Sequence, residues 1–123
     1  MRNNKRPRTR TPDGDSGEEE KLTLLHVASI EGKSAVVPFL LDHRYEVNTA
    51  TNKGMTPLHS AAIGNRKEVA RILLENGANP NAKNDLGGVP LVYAALEDRL
   101  EVAKVLIKFG ADLNIRIFRV FRG

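Results

Sequence analysis

Histidine is the residue type in this chain best suited to acid–base chemistry or metal binding, and the chain has three histidines. His26 and His59 lie 33 residues apart, and a threonine precedes each by three positions. A metal site needs further histidine or carboxylate ligands at fixed spacing, and none is evident around them. Because the two histidines recur together with their threonines, we interpret them as structural residues of a repeat. His43 has no such counterpart and is predicted to lie on the surface.

Two other motifs suggest chemistry without supporting it. Ser60 follows His59, but adjacent helical residues point about 100° apart, so they do not form a nucleophile–base pair. Gly87 and Gly88 are adjacent, but the Lys and the Ser or Thr that complete a phosphate-binding loop do not follow them. We interpret these glycines as part of a hairpin turn between helices.

Neither carboxylates nor thiols indicate catalysis. Glu97 and Asp98 are adjacent acids that we interpret as a solvated turn between two helices. The chain contains no cysteine, which excludes cysteine nucleophiles, thiolate zinc sites and disulfides. The sequence therefore predicts a protein that is not an enzyme and that uses no metal or cofactor.

Several residues recur at intervals of 33 along the chain. Five columns of identical residues share this spacing: Leu25, Leu58 and Leu91; Ala28, Ala61 and Ala94; Val36, Val69 and Val102; Leu40, Leu73 and Leu106; Asn48, Asn81 and Asn114. They indicate three copies of one structural unit, and the period is typical of arrays of helix pairs. Aromatic residues are only 5% of the chain, which predicts a core of Ala, Val, Leu and Ile.

The middle unit shows which elements must carry these columns. Thr56 is a suitable helix N-cap, and Pro57 suits the first turn because its missing N–H needs no partner there. Gly64 and Asn65 are predicted to end this short, alanine-rich helix, because both residue types tolerate a left-handed backbone. A second, amphipathic helix is predicted to start near Lys67.

The middle unit, residues 51–83, has the sequence TNKGMTPLHSAAIGNRKEVARILLENGANPNAK. It resembles the ankyrin repeat in five places: Gly54, Thr56-Pro57-Leu58-His59, Ala61-Ala62, Leu73-Leu74 and Gly77-Ala78-Asn79. The resemblance implies an all-α fold, a short ankyrin-repeat solenoid of helix-turn-helix units joined by hairpin-like loops. It covers residues 21–115, in units of about 21–50, 51–83 and 84–115. It also implies that the two repeated histidines form hydrogen bonds within and between turns.

The outer units depart from this pattern. Arg44 stands where the middle unit has Gly77, so Arg44 must adopt a left-handed backbone or the helix must end differently. Pro38 falls inside the expected second helix of the first unit, which predicts that this helix starts late or bends. In the third unit, Val89 and Val92 replace the threonine and the histidine, so a helix cap and a polar link are lost there.

The N-terminal segment, residues 1–20, is rich in charge and has no large apolar residue after Met1. It cannot bury enough surface to offset chain entropy, and it is predicted to be disordered. No apolar run follows its basic residues, so neither a signal peptide nor a membrane span is expected, and the protein is predicted to be intracellular. A short import-like cluster, Lys5-Arg6-Pro7-Arg8, leaves cytoplasm and nucleus both open.

The C-terminal segment, residues 116–123, is apolar and basic. Two interpretations stay open for it: it folds back over the end of the stack, or it is a remnant of a longer array. The tails supply most of the formal charge of +4, whereas residues 21–115 are nearly neutral. A nucleic-acid-associated protein that uses its basic tails is therefore the alternative function.

We expect this chain to bind another protein, because catalytic motifs are missing and stacked units present a concave face of first helices and turns. The resemblance places the contact residues in two turns and along the first helices: Asn52, Lys53, Met55, Asp85, Leu86, Gly88, Ile63, Leu96 and Glu97. Ile30, Ile63 and Leu96 share one column, so packing within the stack is an alternative role for them. The chain is expected to be a monomer. A fragment without independent function is a third hypothesis.

Overall fold

The computed structural model describes residues 19–116, and these residues form six α-helices and no strand. The helices are α1 (Leu24–Ile30), α2 (Val36–Asp42), α3 (Pro57–Gly64), α4 (Lys67–Glu75), α5 (Pro90–Leu96) and α6 (Leu100–Lys108). The predicted all-α class is confirmed, with one helix pair in each unit. Residues 1–18, which include the import-like cluster, and residues 117–123 lie outside the described residues. The tail boundaries therefore stay predictions.

Helix α3 begins and ends at the residues that the sequence predicts. The hydroxyl of Thr56 accepts a hydrogen bond from the backbone N–H of His59, which satisfies one of the free donors of the first turn. The helix is capped at its C-terminus by Asn65, which has a left-handed φ of 58°. Helix α5 has Val89 at the N-cap position and no side-chain cap, as the sequence predicts.

Helix α4 shows how the second helices join the core. It begins at Lys67, as predicted, and its buried apolar residues include Val69. On its outer face Arg71 forms ion pairs with Glu68 and Glu75. This amphipathic division leaves one apolar stripe to pack against the first helices.

The first unit accommodates both of its unusual residues. Helix α2 begins at Val36, two residues after position 34, which is equivalent to Lys67. Pro38 therefore lies in the first turn of a helix that starts late, where its missing N–H breaks no helical hydrogen bond. Arg44 takes the left-handed alternative, with a φ of 75° where Gly77 has 96°. The turn keeps its shape, although this backbone is strained for a residue with a side chain.

The helices stack in two layers. Helices α1, α3 and α5 pack on one another in order, and α2, α4 and α6 form the second layer. The core between the layers consists of Ala, Val and Leu, with partly buried aromatic residues packed against it; its most buried members include Leu25, Leu58, Leu73, Leu106, Val69 and Val102. Burying each leucine stabilises the stack by about 1.5–3 kcal/mol.

Arginine side chains tie each unit to the one before it. Arg66 donates from Nε to the carbonyl oxygen of Ile30 at 2.9 Å, and Arg99 makes the equivalent bond to the carbonyl of Ile63 at 3.2 Å. These carbonyls lie at or near the ends of first helices, where no intrahelical donor is available. The bonds therefore satisfy otherwise free acceptors while fixing the position of neighbouring helix pairs.

Asparagine side chains tie each unit to the one after it. Asn48 donates from Nδ2 to the carbonyl of Gly77 at 3.1 Å and accepts from the N–H of Asn79 at 2.8 Å. Asn81 forms the same two bonds one repeat later, to Gly110 and Asp112. The asparagine column of the sequence is therefore a structural bridge between units.

Candidate binding surface

The loop at residues 51–55 precedes the second unit and is closed on itself. The Thr51 hydroxyl accepts hydrogen bonds from the backbone N–H groups of Lys53, at 3.1 Å, and Met55, at 3.2 Å. The N–H of Thr51 donates to the Met55 carbonyl at 2.9 Å. These bonds hold the loop in one hairpin-like conformation.

The loop at residues 84–88 precedes the third unit and follows the same plan. The side-chain oxygen of Asn84 accepts from the N–H groups of Leu86, at 3.0 Å, and Gly88, at 2.8 Å. The N–H of Asn84 donates to the Gly88 carbonyl at 2.9 Å. A side-chain acceptor at the first position, threonine in one loop and asparagine in the other, therefore sets the shape of both.

Two histidines connect the first helices to these loops. His26 bonds through Nε2 to the Met55 carbonyl at 2.8 Å, and His59 bonds through Nε2 to the Gly88 carbonyl at 2.9 Å. In both rings Nδ1 accepts from the backbone N–H of the capping threonine, so the proton of the neutral ring is on Nε2. The structural role that the resemblance implied for these histidines is confirmed.

His59 is held in its neutral form. Burial lowers the pKa of His59 below its ordinary value; the bond to Gly88 opposes this effect, and the electrostatic influence of the nearby His26 ring adds to it. Protonation would place an N–H on Nδ1, facing the N–H of Thr56 that now donates to it. The histidine therefore serves the stack as a neutral hydrogen-bonding ring.

The two loops meet at Gly54 and Asp85. The N–H of Asp85 donates to the carbonyl of Lys53 at 3.1 Å. Gly54 has a φ of 82°, and a Cβ at this position would lie 2.9 Å from the Asn84 Cα and from the Asp85 nitrogen. Glycine is therefore required here both for the left-handed backbone and for the close approach of the second loop.

A groove of about 510 Å³ opens beside these loops. Four residues predicted to bind a partner line it together with three that were not predicted: Lys53, Met55, Asp85 and Leu86, with Glu20, Asn84 and Tyr93. Leu86 is the most exposed large apolar side chain of the described residues, at 82%. The groove therefore combines apolar contact surface with charged side chains at its edge.

Tyr93, on α5, is fixed on two sides. Asn84 donates from Nδ2 to the Tyr93 hydroxyl oxygen at 2.7 Å, and the tyrosine ring meets His59 edge-on, with centroids 5.8 Å apart. The equivalent positions of the other units hold Ser60 and Val27. One bulky aromatic in a column of smaller residues is the sequence signal that identifies Tyr93.

Glu20 comes from the segment before the first helix. Its carboxylate accepts from the Thr51 hydroxyl at 2.7 Å, and the N–H of Lys21 donates to the Asn52 side chain at 2.9 Å. Glu20 lies one repeat before Lys53, so the repeat register places both at the groove. Composition alone groups Glu20 with the charged tail.

Family membership follows from a match over most of the chain. A family model described as ankyrin repeats, in three copies, matches residues 5–84 and also residues 25–117. The chain belongs to the ankyrin repeat family. Ankyrin repeats are in general protein–protein interaction modules, and the family is typically non-catalytic. No curated protein matches this chain.

The remaining residues predicted to bind a partner lie outside the groove of this ankyrin stack. Asn52 is exposed, and its side chain is bonded to the segment before α1. Gly88 is buried, so it shapes the loop without offering a side chain. Ile63 is half-buried on α3, consistent with packing in the stack. Leu96 and Glu97 are exposed at the C-terminal end of α5.

Three further properties concern the described part of the ankyrin-repeat chain. Residues 19–116 contain no group of three or more His, Asp or Glu side chains that could hold a metal ion. Each helix in this range is too short or too polar to span a bilayer. His43 is exposed, as predicted. The basic tails proposed for nucleic-acid binding lie largely outside this range, so that alternative stays a prediction.

Proposed function

We propose that this ankyrin-repeat chain is a non-catalytic module that binds a partner protein through the groove beside residues 51–55 and 84–88. The observation that carries the proposal is the exposure of Leu86 at the edge of that groove. A leucine at this level of exposure adds little to the core, whereas its burial in a complex would contribute about 1.5–3 kcal/mol.

The chemistry of the groove favours a protein segment that places an apolar side chain next to a basic one. Met55 and Leu86 provide apolar contact surface. Glu20 and Asp85 bring two carboxylates to the edge, against the single ammonium group of Lys53. An apolar centre with a charged rim is the usual anatomy of a protein interface.

The rigidity of the loops supports this role. The Thr51 and Asn84 side chains hold the two loops through four hydrogen bonds to backbone N–H groups. A surface that is already ordered loses less conformational entropy on association. The groove is therefore prepared for binding without a change of fold.

The proposal is tested by partner capture from an extract of the native source with the full chain as bait, comparing Leu86→Ser with Leu113→Ser. Both leucines are exposed, and Leu113 does not line the groove. We expect Leu86→Ser and the charge reversal Asp85→Lys to lose partners that Leu113→Ser retains, with unchanged circular-dichroism melts. If both groove variants fold and keep every partner, the groove is not the binding surface.

A further inference from the structure

The first unit exposes columns that are buried in the units after it. Val36 is 46% exposed, whereas its equivalents Val69 and Val102 are fully buried against the preceding unit. Leu24 is exposed where the equivalent Pro57 is buried. We call this surface the N-terminal face; its exposed apolar residues are Leu24, Val27, Val36 and Phe39.

The third unit exposes the complementary columns. Ala95 is exposed, whereas its equivalents Ala62 and Ser29 are fully buried beneath the following unit. We call this surface the C-terminal face; its exposed apolar residues are Ala95, Leu96, Leu100 and Ile107. The N-terminal face therefore has the surface with which a unit contacts the unit before it. The C-terminal face has the surface with which a unit contacts the unit after it.

The ion pair between the second and third units indicates which residues would meet if one end face were stacked on the other. Lys67 of the second unit pairs with Glu101 of the third at 3.8 Å. The third-unit equivalent of Lys67 is Leu100, and the first-unit equivalent of Glu101 is Ala35. In a second copy stacked by the same step, Leu100 of one chain would face Ala35 of the next. An apolar contact would replace the ion pair at this position.

The hydrogen-bonding columns continue across the same junction. Lys33 is the first-unit equivalent of Arg66 and Arg99. These arginines donate to the carbonyls of Ile30 and Ile63, and the third-unit equivalent of those two residues is Leu96. Lys33 of a second copy is thus placed to donate to Leu96. Asn114 likewise extends the asparagine column whose other members bridge to the next unit.

We propose that a second copy of this chain docks its N-terminal face on the C-terminal face of the first, α1 against α5 and α2 against α6. Val92 fits this junction, because it replaces the histidine that would need a carbonyl partner from the following loop. The contact joins two different faces, and a stack that continues by the same step leaves one face free at each end, so further copies can add. This differs from the monomer expected from the sequence.

The test measures the mass of the full chain against concentration by sedimentation equilibrium. The native chain should exceed its monomer mass and continue to grow as concentration rises. Leu100→Lys alters only the C-terminal face, and Ala35→Glu alters only the N-terminal face. Each should weaken self-association by roughly two- to fivefold, because an unpaired charge would face an apolar residue at a half-exposed contact where Lys67 has Glu101 as its partner. Circular-dichroism melts check that both variants fold.

Mixing the two variants distinguishes head-to-tail from face-to-same-face pairing. The Leu100→Lys variant keeps a native N-terminal face, and the Ala35→Glu variant keeps a native C-terminal face. These two native faces can pair in the mixture, so association should return. A native chain that is monomeric at every concentration overturns the proposal. Loss of association in Ala35→Glu but not in Leu100→Lys also overturns it, since the N-terminal face would then pair with itself. A mixture that stays monomeric has the same consequence.

The competing occupant of the C-terminal face is the segment 117–123 of the same chain. The double variant Phe118→Glu, Phe121→Glu removes two of its apolar side chains. We expect this variant to associate as the native chain does. If the native chain is monomeric and the double variant associates, the segment covers the face and a second copy does not.

Discussion

His59 bonds through Nε2 to the carbonyl oxygen of Gly88 at 2.9 Å, and this bond joins the first helix of the middle unit to the loop before the third. The opposite ring nitrogen accepts from the N–H of Thr56 at 3.0 Å, so only the neutral ring satisfies both partners. The bond that shapes one side of the groove therefore depends on pH.

We predict that the free energy of unfolding falls as the pH is lowered below about 6.5. Burial lowers the pKa of His59 in the folded state, so the unfolded chain binds more protons at this ring and acid favours unfolding. The stabilising contribution is fully present above the ordinary histidine pKa and is lost as the pH falls toward the folded value. Urea unfolding across this range measures the effect. His59→Gln should show a weaker pH dependence, and equal dependence in both proteins would contradict the prediction.

Gly54→Ala should destabilise the stack by about 1–3 kcal/mol and disturb the groove, because the left-handed backbone and the approach of Asp85 both exclude a side chain. Gly87→Ala is the matched control. Gly87 has a φ of 80°, but a Cβ there meets no atom within 4 Å, so only backbone strain of about 1 kcal/mol is expected. Denaturant unfolding compares the two variants, and equal losses would rule out a steric contribution at Gly54.

Ser29→Ala should raise the free energy of unfolding by about 1 kcal/mol. The Ser29 hydroxyl is fully buried on α1 and has no hydrogen-bond partner among the described residues. The equivalent residue of the middle unit is Ala62, which is also fully buried. The reverse change, Ala62→Ser, should destabilise by about 1–3 kcal/mol. A less stable Ser29→Ala protein in urea unfolding would mean that the hydroxyl is hydrogen-bonded in solution.

Arg44→Gly should stabilise the first unit by about 0.5–1 kcal/mol, because glycine adopts the left-handed φ of 75° without strain. The reciprocal variant Gly77→Arg should lose about 1–2 kcal/mol at the equivalent turn of the middle unit. Thermal unfolding monitored by circular dichroism measures both. An unchanged melting temperature in both variants would show that this backbone position carries little strain.

The helices of the middle unit could be predicted closely from the sequence because their signals are local. Thr56 and Pro57 start α3, Asn65 ends it, and α4 begins at Lys67. The first unit was harder, since Pro38 permits either a late start or a bend. Whether α2 starts late or bends depends on how it packs against the other helices, which the residues around Pro38 alone do not determine.

The groove could be predicted only in part because it joins residues far apart in the chain. The two loops follow from the repeat register, and Lys53 and Leu86 of these loops line the groove. The lining role of Tyr93 depends on Asn84, nine residues earlier, and on a ring from the preceding unit. The Gly88 carbonyl likewise bonds to a histidine 29 residues earlier in the chain.

The arginine and asparagine ties link neighbouring units only. Arg66 and Asn81 both belong to the middle unit, which is the one unit of the described three that is secured on both sides. The two outer units should thus unfold before the middle one, and the amides of α3 and α4 should be the best protected against hydrogen exchange. Cooperative unfolding in this molecule therefore depends on contacts between neighbouring units. Adding or removing a terminal unit would change the number of coupled units, but not the kind of contact that couples them.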